Sequence, residues 1–156
     1  WSGILLNESR GLEKNLAGLG YVAFSLSMTI GRFSGDWVVS QLGPERTLMI
    51  GSVVTAAGFL VAALVPSWQV GVLGYFLVGA GASNVVPVLF SAAGRQKDMP
   101  ANLAMAGVTT LGYAGILVGP ALIGFFARAT SLPTATLGVA ALTLAVLVTA
   151  KMTTRG

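Results

Sequence analysis

The sequence predicts an all-α integral membrane protein, because its composition is too apolar for a water-soluble domain and its apolar residues fall into long runs. Of its 156 residues, 54% are hydrophobic and 9% are charged, and the mean hydropathy is +0.82. Soluble domains carry about 25% charged residues, so this chain could not cover a water-facing surface. Nine Lys and Arg residues, spread along the chain, give a net charge of only +4. They form no phosphate-binding stripe, which excludes nucleic-acid binding.

Five of the apolar runs are long enough to cross the ~30 Å hydrocarbon core of a bilayer, which takes about 20 helical residues. The predicted spans are residues 16–33, 47–65, 70–90, 103–127 and 133–150. Almost every charged residue lies between these runs or at their ends. A shorter apolar stretch, residues 1–6, has no basic segment before it and is therefore not a signal peptide. We expect it to be the end of a further helix that has been cut.

The connections between the spans carry helix-start signals. Ser67 is a candidate N-cap for the third span, and the adjacent Trp68 suits the interfacial aromatic belt. Pro100 precedes the fourth span and Pro133 is the first residue of the fifth, positions where a proline is tolerated. These signals favour five helices joined by short connections.

Basic residues favour one side of the predicted bundle, which sets its orientation. The connections on that side and the C-terminus carry Arg32, Arg46, Arg95, Lys97, Lys151 and Arg155. The opposite side carries Arg10, Lys14 and Arg128. Since cytoplasmic connections carry the excess of Lys and Arg, we expect the first side and the C-terminus to be cytoplasmic, with residues 7–15 outside.

The chain has few of the residue types that catalytic and metal sites use. It has no His and no Cys, which excludes His- and Cys-dependent catalysis and zinc sites built on those residues. Its five acidic residues do not pair on one helical face of an apolar segment, so a two-carboxylate mechanism has no basis. The sequence therefore predicts no catalytic residues, no metal site and no cofactor.

The connection after the first span is the most informative stretch. It reads Gly-Arg-Phe-Ser-Gly-Asp from Gly31 to Asp36, then six residues, then Gly-Pro-Glu-Arg from Gly43 to Arg46. Arg32 precedes Asp36 by one helical turn, within reach for an ion pair. A carboxylate at the membrane surface is costly unless it meets an Arg or a helix N-terminus. These residues alone support a solvated connection and a functional one equally.

The spacing Gly-Arg-x-x-Gly-Asp followed by Gly-Pro-x-Arg, between two apolar helices, resembles the signature loop of the major facilitator superfamily. In that family the loop joins helices two and three and, again, helices eight and nine. The resemblance implies a conformational-switch loop whose charges grip the adjoining half of the protein and stabilise the outward-facing state. The matching residues are Gly31, Arg32, Gly35, Asp36, Gly43 and Arg46.

The fourth span also resembles a superfamily helix, the eleventh, through Gly115-x-x-x-Gly119-Pro120. Two small residues four apart let helices approach closely, and Pro120 permits a bend. In the third span, Pro87 frees a carbonyl one turn earlier and predicts another bend. Helix packing alone also accounts for the glycine pattern.

Four polar side chains on these spans are candidates for lining a substrate cavity. Asn84 is the one strongly polar side chain deep in the third span, and it either contacts substrate or bonds a neighbouring helix such as the one carrying Tyr113. Tyr21 and Ser25 share one face of the first span. Packing without any substrate contact is the alternative for all four.

The resemblance covers nearly the whole chain. It implies that residues 1–156 are the C-terminal half of a major facilitator transporter: helices eight to twelve and the end of helix seven. It implies transport by alternating access in a bacterial inner membrane. The implied partners are a small-molecule substrate, the lipid bilayer, the missing N-terminal half and, where transport is coupled, H⁺ or another ion. The alternatives are a non-transporting multi-helix membrane subunit or scaffold, and an integral-membrane enzyme. Substrate identity is not readable from these residues.

Overall fold

The computed structural model describes the backbone of residues 1–153 and the side chains of residues 1–145. This part of the chain is α-helical with no strand, apart from short connections and a single 3₁₀ turn at Lys14–Leu16. The predicted all-α fold class is thus confirmed. The helices are α1 Ser2–Glu8, α2 Leu19–Phe33, α3 Gly35–Leu42, α4 Pro44–Leu64, α5 Trp68–Ala82, α6 Val85–Arg95, α7 Ala101–Ala129 and α8 Leu132–Thr153.

Among the residues that the structure describes, four helical stretches are long and apolar enough to cross a membrane. They are Lys14–Phe33, Pro44–Leu64, Trp68–Arg95 and Ala101–Ala129. Each contains most or all of one of the first four predicted spans. The fifth predicted span falls in α8, of which Leu132–Ala145 is apolar over its described side chains. Length and composition therefore agree with the membrane-spanning architecture that the sequence predicts.

The connection predicted after the first span is itself helical. Only Ser34 separates α2 from α3, which occupies Gly35–Leu42. Gly43 ends α3 in a left-handed conformation with φ of 78°, which glycine adopts without steric cost. Pro44 then begins α4, where its missing N–H has no helical partner to lose. The Gly-Pro pair is therefore the turn that separates the two helices.

The third span is broken where a bend was expected. Its two parts, α5 and α6, meet at Ser83 and Asn84. Pro87 lacks the N–H that would donate to the Ser83 carbonyl four residues earlier, so the regular hydrogen-bond ladder cannot continue through this point. The ladder resumes with Val88, whose N–H donates to the Asn84 carbonyl at 3.1 Å.

The centre of the bundle is α5, which packs against both α2 and α4. Glycines permit this packing: a Cβ built on Gly58 of α4 would lie 2.6 Å from the Gly74 carbonyl oxygen of α5. α4 also packs against α8, and α7 contacts α6 and α8. The side chains of α7 are largely exposed, so α7 lies at the edge of the described bundle.

Candidate functional site

A cavity of about 190 Å³ lies where the end of α2, the start of α3 and α6 meet, and we call it the junction cavity. It contains two guanidinium groups, one carboxylate, one amide and one hydroxyl. Its lining residues are Arg32, Gly35, Asp36, Val39, Pro44, Asn84, Pro87, Val88, Ser91 and Arg95. The predicted switch loop and the broken third span thus line one cavity. The sequence does not reveal this, because the two segments are about fifty positions apart in the chain.

The glycines of the signature loop have a direct physical reason in this geometry. A Cβ on Gly31 would overlap the Ser83 hydroxyl, and a Cβ on Gly35 would overlap the Asn84 side-chain oxygen. Glycine at these positions allows the α2–α3 junction to lie against the break between α5 and α6. The two motifs therefore interlock, and each glycine faces one residue of the break.

Asn84 fixes this contact by hydrogen bonding. Its Nδ2 donates to the Gly31 carbonyl oxygen and to the Ser83 Oγ, both at 3.3 Å. The partner helix is therefore α2 and not α7, which carries Tyr113. The amide is half-buried at the break between α5 and α6, within an apolar span where an unpaired polar group would be costly.

Arg32 and Asp36 both line the junction cavity but do not pair with each other. Because α2 ends at Phe33 and α3 begins at Gly35, the two residues do not occupy successive turns of one helix. Their side chains form no direct ion pair within the described part of the chain. Arg95 donates from Nε to the Ser91 carbonyl of its own helix at 3.2 Å. The cavity is thus lined by two guanidinium groups, those of Arg32 and Arg95, and by the carboxylate of Asp36, which forms no ion pair with Arg32.

Arg46 and Gly43 have different positions from the rest of the motif. Arg46 is exposed in the first turn of α4 and does not line the junction cavity. Gly43 supplies the turn between α3 and α4. Among the described side chains of residues 1–145, no three Asp or Glu carboxylates come together in a way that could hold a metal ion.

The four substrate-cavity candidates do not meet in one place. Tyr21 lines a second cavity of about 230 Å³, together with Phe24, Phe59 and Tyr75, whereas Asn84 lines the junction cavity. Ser25 is half-buried on α2, and Tyr113 is 64% exposed on α7. Their roles in binding remain predictions.

The glycine-proline pattern of α7 also remains a prediction about function. α7 continues as one helix through Pro120. A Cβ on Gly115 or Gly119 would meet nothing within 4 Å. The small-residue face of α7 is therefore open in the described bundle, in contrast to the packed glycines of α5.

Arg10 makes a polar contact with another helix that the sequence did not predict, since Arg10 was counted only among the charges of the outer side. Its guanidinium donates to the Ala62 carbonyl at 3.3 Å and to the Ala63 carbonyl, at the end of α4 opposite the junction cavity. The sequence did contain a local signal: Arg followed by Gly11 at the end of an apolar helix is typical of a helix C-terminus.

The comparison with protein families decides what kind of protein carries this arrangement. The model of the Major Facilitator Superfamily matches residues 2–155. The chain belongs to this superfamily. The resemblance drawn from the signature loop is thus confirmed, and the protein is an integral membrane protein.

Three relatives illustrate the range of similar superfamily members. An uncharacterised MFS-type transporter of Yersinia pestis is 49% identical over 155 residues, which is 99% of this chain and 40% of that protein. Membrane protein MosC of Rhizobium meliloti is 36% identical, over 90% of this chain and 35% of that protein. A triacylglyceride transporter of Mycolicibacterium smegmatis is 29% identical, over 73% of this chain and 23% of that protein.

The superfamily match extends along the chain but not along its relatives. The chain spans about two fifths of the length of the Yersinia protein and about one third of that of MosC. No solved structure matches the chain. The roles of the signature-loop residues are therefore inferred from the geometry of the junction cavity.

Proposed function

We propose that this chain is the C-terminal half of a transporter that moves a small molecule across the bacterial inner membrane by alternating access. Its partners are the N-terminal half of the same transporter, the bilayer, and H⁺ or another ion where transport is coupled. The observation that carries the proposal is the superfamily match over residues 2–155, together with a signature loop that is built into the junction cavity. Superfamily transporters place their two halves around a site near the bilayer midplane.

We infer that the junction cavity is the conformational switch of this half and that it faces the cytoplasm. Asp36 is exposed in the first turn of α3 and is not paired with Arg32, so its carboxylate is available to a partner beyond this half. Arg32 and Arg95 line the same cavity and can exchange with that partner. A change of pairing here would favour one of the two states of the transport cycle without moving charge into the apolar core.

The substrate class is left open by the described side chains. Sugars, drugs, organic acids and peptides all belong in a first panel, since one fold hosts many functions. A triacylglycerol belongs there too, because one relative is named a triacylglyceride transporter. The panel is tested for uptake by vesicles that contain the full-length protein.

Replacement of Asp36 by Asn tests the switch. We expect a lower initial uptake rate with normal expression and membrane insertion. A water-exposed ion pair contributes only about 0–1 kcal/mol, which corresponds to less than about tenfold, so a larger loss indicates a role beyond a solvated pair. The matched control is Asp98→Asn, which removes an exposed carboxylate from the connection between α6 and α7. Equal uptake by both variants and the wild type would leave Asp36 as a solvated surface residue.

A further inference from the structure

The end of α1 is held in a defined shape by a glycine cap. Gly11 has a left-handed φ of 70°, and its N–H donates to the Asn7 carbonyl at 3.2 Å. The side-chain amide of Asn7 in turn donates to the Leu12 carbonyl at 2.6 Å. This is the arrangement in which a left-handed glycine just past the helix satisfies a terminal carbonyl. The residue before that glycine, Arg10, is therefore held in a fixed position.

From this position Arg10 reaches across to a different helix. Its Nη2 donates to the carbonyls of Ala62 and Ala63, in the last turn of α4, while Nη1 donates to the Ser9 carbonyl at 3.2 Å. The last four carbonyls of a helix have no partner within it, and a cation there is favoured by the helix dipole. α4 has no basic residue in its own last turn. Arg10 supplies the cation that this helix end lacks.

Buried apolar contacts join the same elements beneath the guanidinium. Leu6 of α1, Leu12 of the connection, Ala62 of α4 and Tyr75 of α5 form one cluster, with relative exposures of 0%, 3%, 0% and 8%. The Nε of Arg10 is buried and has no hydrogen-bond partner among the described residues. Arg10 is thus half-buried, and its guanidinium is held at the end of α4 by these hydrogen bonds.

We propose that Arg10 is a positioning residue that clamps the outer end of α1 to the end of α4, so that these two helix ends move together during the transport cycle. The proposal rests on the proposed function, because a transport cycle is what would require this joint movement. α1 has seven residues, and within the described part of the chain it packs mainly against α2 and α5. Without the clamp, its end would be held to α4 by the apolar cluster alone.

The test uses the full-length protein in vesicles and compares Arg10→Gln with Lys14→Gln. Gln keeps a donor but removes the charge and the forked geometry. The control removes a neighbouring exposed cation in the 3₁₀ turn. For Arg10→Gln we expect backbone amides of residues 9–13 to exchange with solvent about tenfold faster, and uptake per folded molecule to fall several-fold. Lys14→Gln should match the wild type in both measurements.

A covalent substitute for the clamp separates positioning from simple stabilisation. Cysteines at Ser9 and at Leu64, which is 63% exposed in the last turn of α4, joined by a short bis-maleimide in the Arg10→Gln background, should restore slow exchange and uptake together. Loss of uptake when the same cross-link is formed with Arg10 present would overturn the proposal, since the contact would then have to open. Unchanged exchange in Arg10→Gln, or faster exchange with normal uptake, would also overturn it.

Two further measurements keep the outcome decisive. If Arg10→Gln fails to fold, Arg10→Lys replaces it, because Lys keeps the charge but not the forked guanidinium. The proposal then requires the same faster amide exchange and the same loss of uptake, each smaller than for Arg10→Gln. If wild-type vesicles take up no member of the substrate panel, the proposed function fails. The exchange rates of residues 9–13 then still show whether Arg10 holds the helix ends together.

Discussion

Replacing Gly58 by Ala would test whether α4 and α5 depend on close backbone approach. The added Cβ would lie 2.6 Å from the Gly74 carbonyl oxygen and 2.8 Å from the Val78 backbone nitrogen. Ordinary contacts of a Cβ begin near 3.4 Å, so the two helices would have to separate by about 0.6–0.8 Å. Over-packing of this kind costs about 1–3 kcal/mol. We expect the upper part of that range, because both obstructing atoms belong to backbone.

The measurement is the thermal unfolding of the purified full-length protein in detergent. One kcal/mol shifts the melting temperature by about 2–4 °C for about 150–250 residues and by less for a longer protein. A cost of about 2–3 kcal/mol therefore predicts a fall of several degrees, at most about 12 °C. The control is Gly138→Ala on α8, where a Cβ would meet nothing within 4 Å. Alanine favours a helix over glycine by about 1 kcal/mol, so the control should melt at the same temperature or slightly higher. Equal melting temperatures for the two variants would refute the close approach of α4 and α5.

Gly43→Ala should destabilise the protein by about 1–2 kcal/mol, because alanine is strained at a φ of 78°. The control, Gly18→Ala, should not destabilise it, because Gly18 has a φ of −70° and open space around it. Equal melting temperatures for these two variants would contradict the prediction. Cysteines at Gln41 and Gln69 should report orientation: an impermeant thiol reagent added outside cells should label position 69 and spare position 41, and the reverse pattern would invert the topology. Asn84→Ala should lower the melting temperature slightly and leave the apparent substrate constant unchanged; a raised constant at unchanged stability would instead place Asn84 in the substrate cavity.

The membrane spans could be predicted from the sequence because they depend on composition over long windows. Twenty apolar residues must cross the bilayer whatever they contact, so run length alone sufficed. The break in the third span was also local, since Pro87 removes one hydrogen bond at a known distance in the chain. The helical character of Gly35–Leu42 was not predicted. A glycine-bounded segment of eight residues is too short to show a clear helical period.

The contacts between helices could not be predicted, because they join residues far apart in the chain. The sequence marked Gly31 and Gly35 as important through the signature loop, but only the structure shows that they face Ser83 and Asn84. Arg10 could be seen as a charge near a helix end, but its partners, Ala62 and Ala63, are fifty residues away. Glycine patterns were equally ambiguous: those of α5 are packed against other helices, whereas Gly115 of α7 has open space.

The small stability loss expected for Asn84→Ala follows from the length of its hydrogen bonds. Both bonds of Nδ2 measure 3.3 Å, beyond the usual 2.7–3.2 Å for N–H···O bonds. A typical bond contributes about 0.5–1.5 kcal/mol, so these two belong at the low end of that range. Alanine would also remove the Asn84 donor from the Gly31 carbonyl, but the Ser34 hydroxyl still donates to that carbonyl at 3.2 Å. Weak bonds at the break suit an amide that holds the α2–α3 junction and releases it when the junction moves. A loss of more than about 1–2 kcal/mol in the free energy of unfolding would therefore contradict this reasoning and assign Asn84 a fixed packing role.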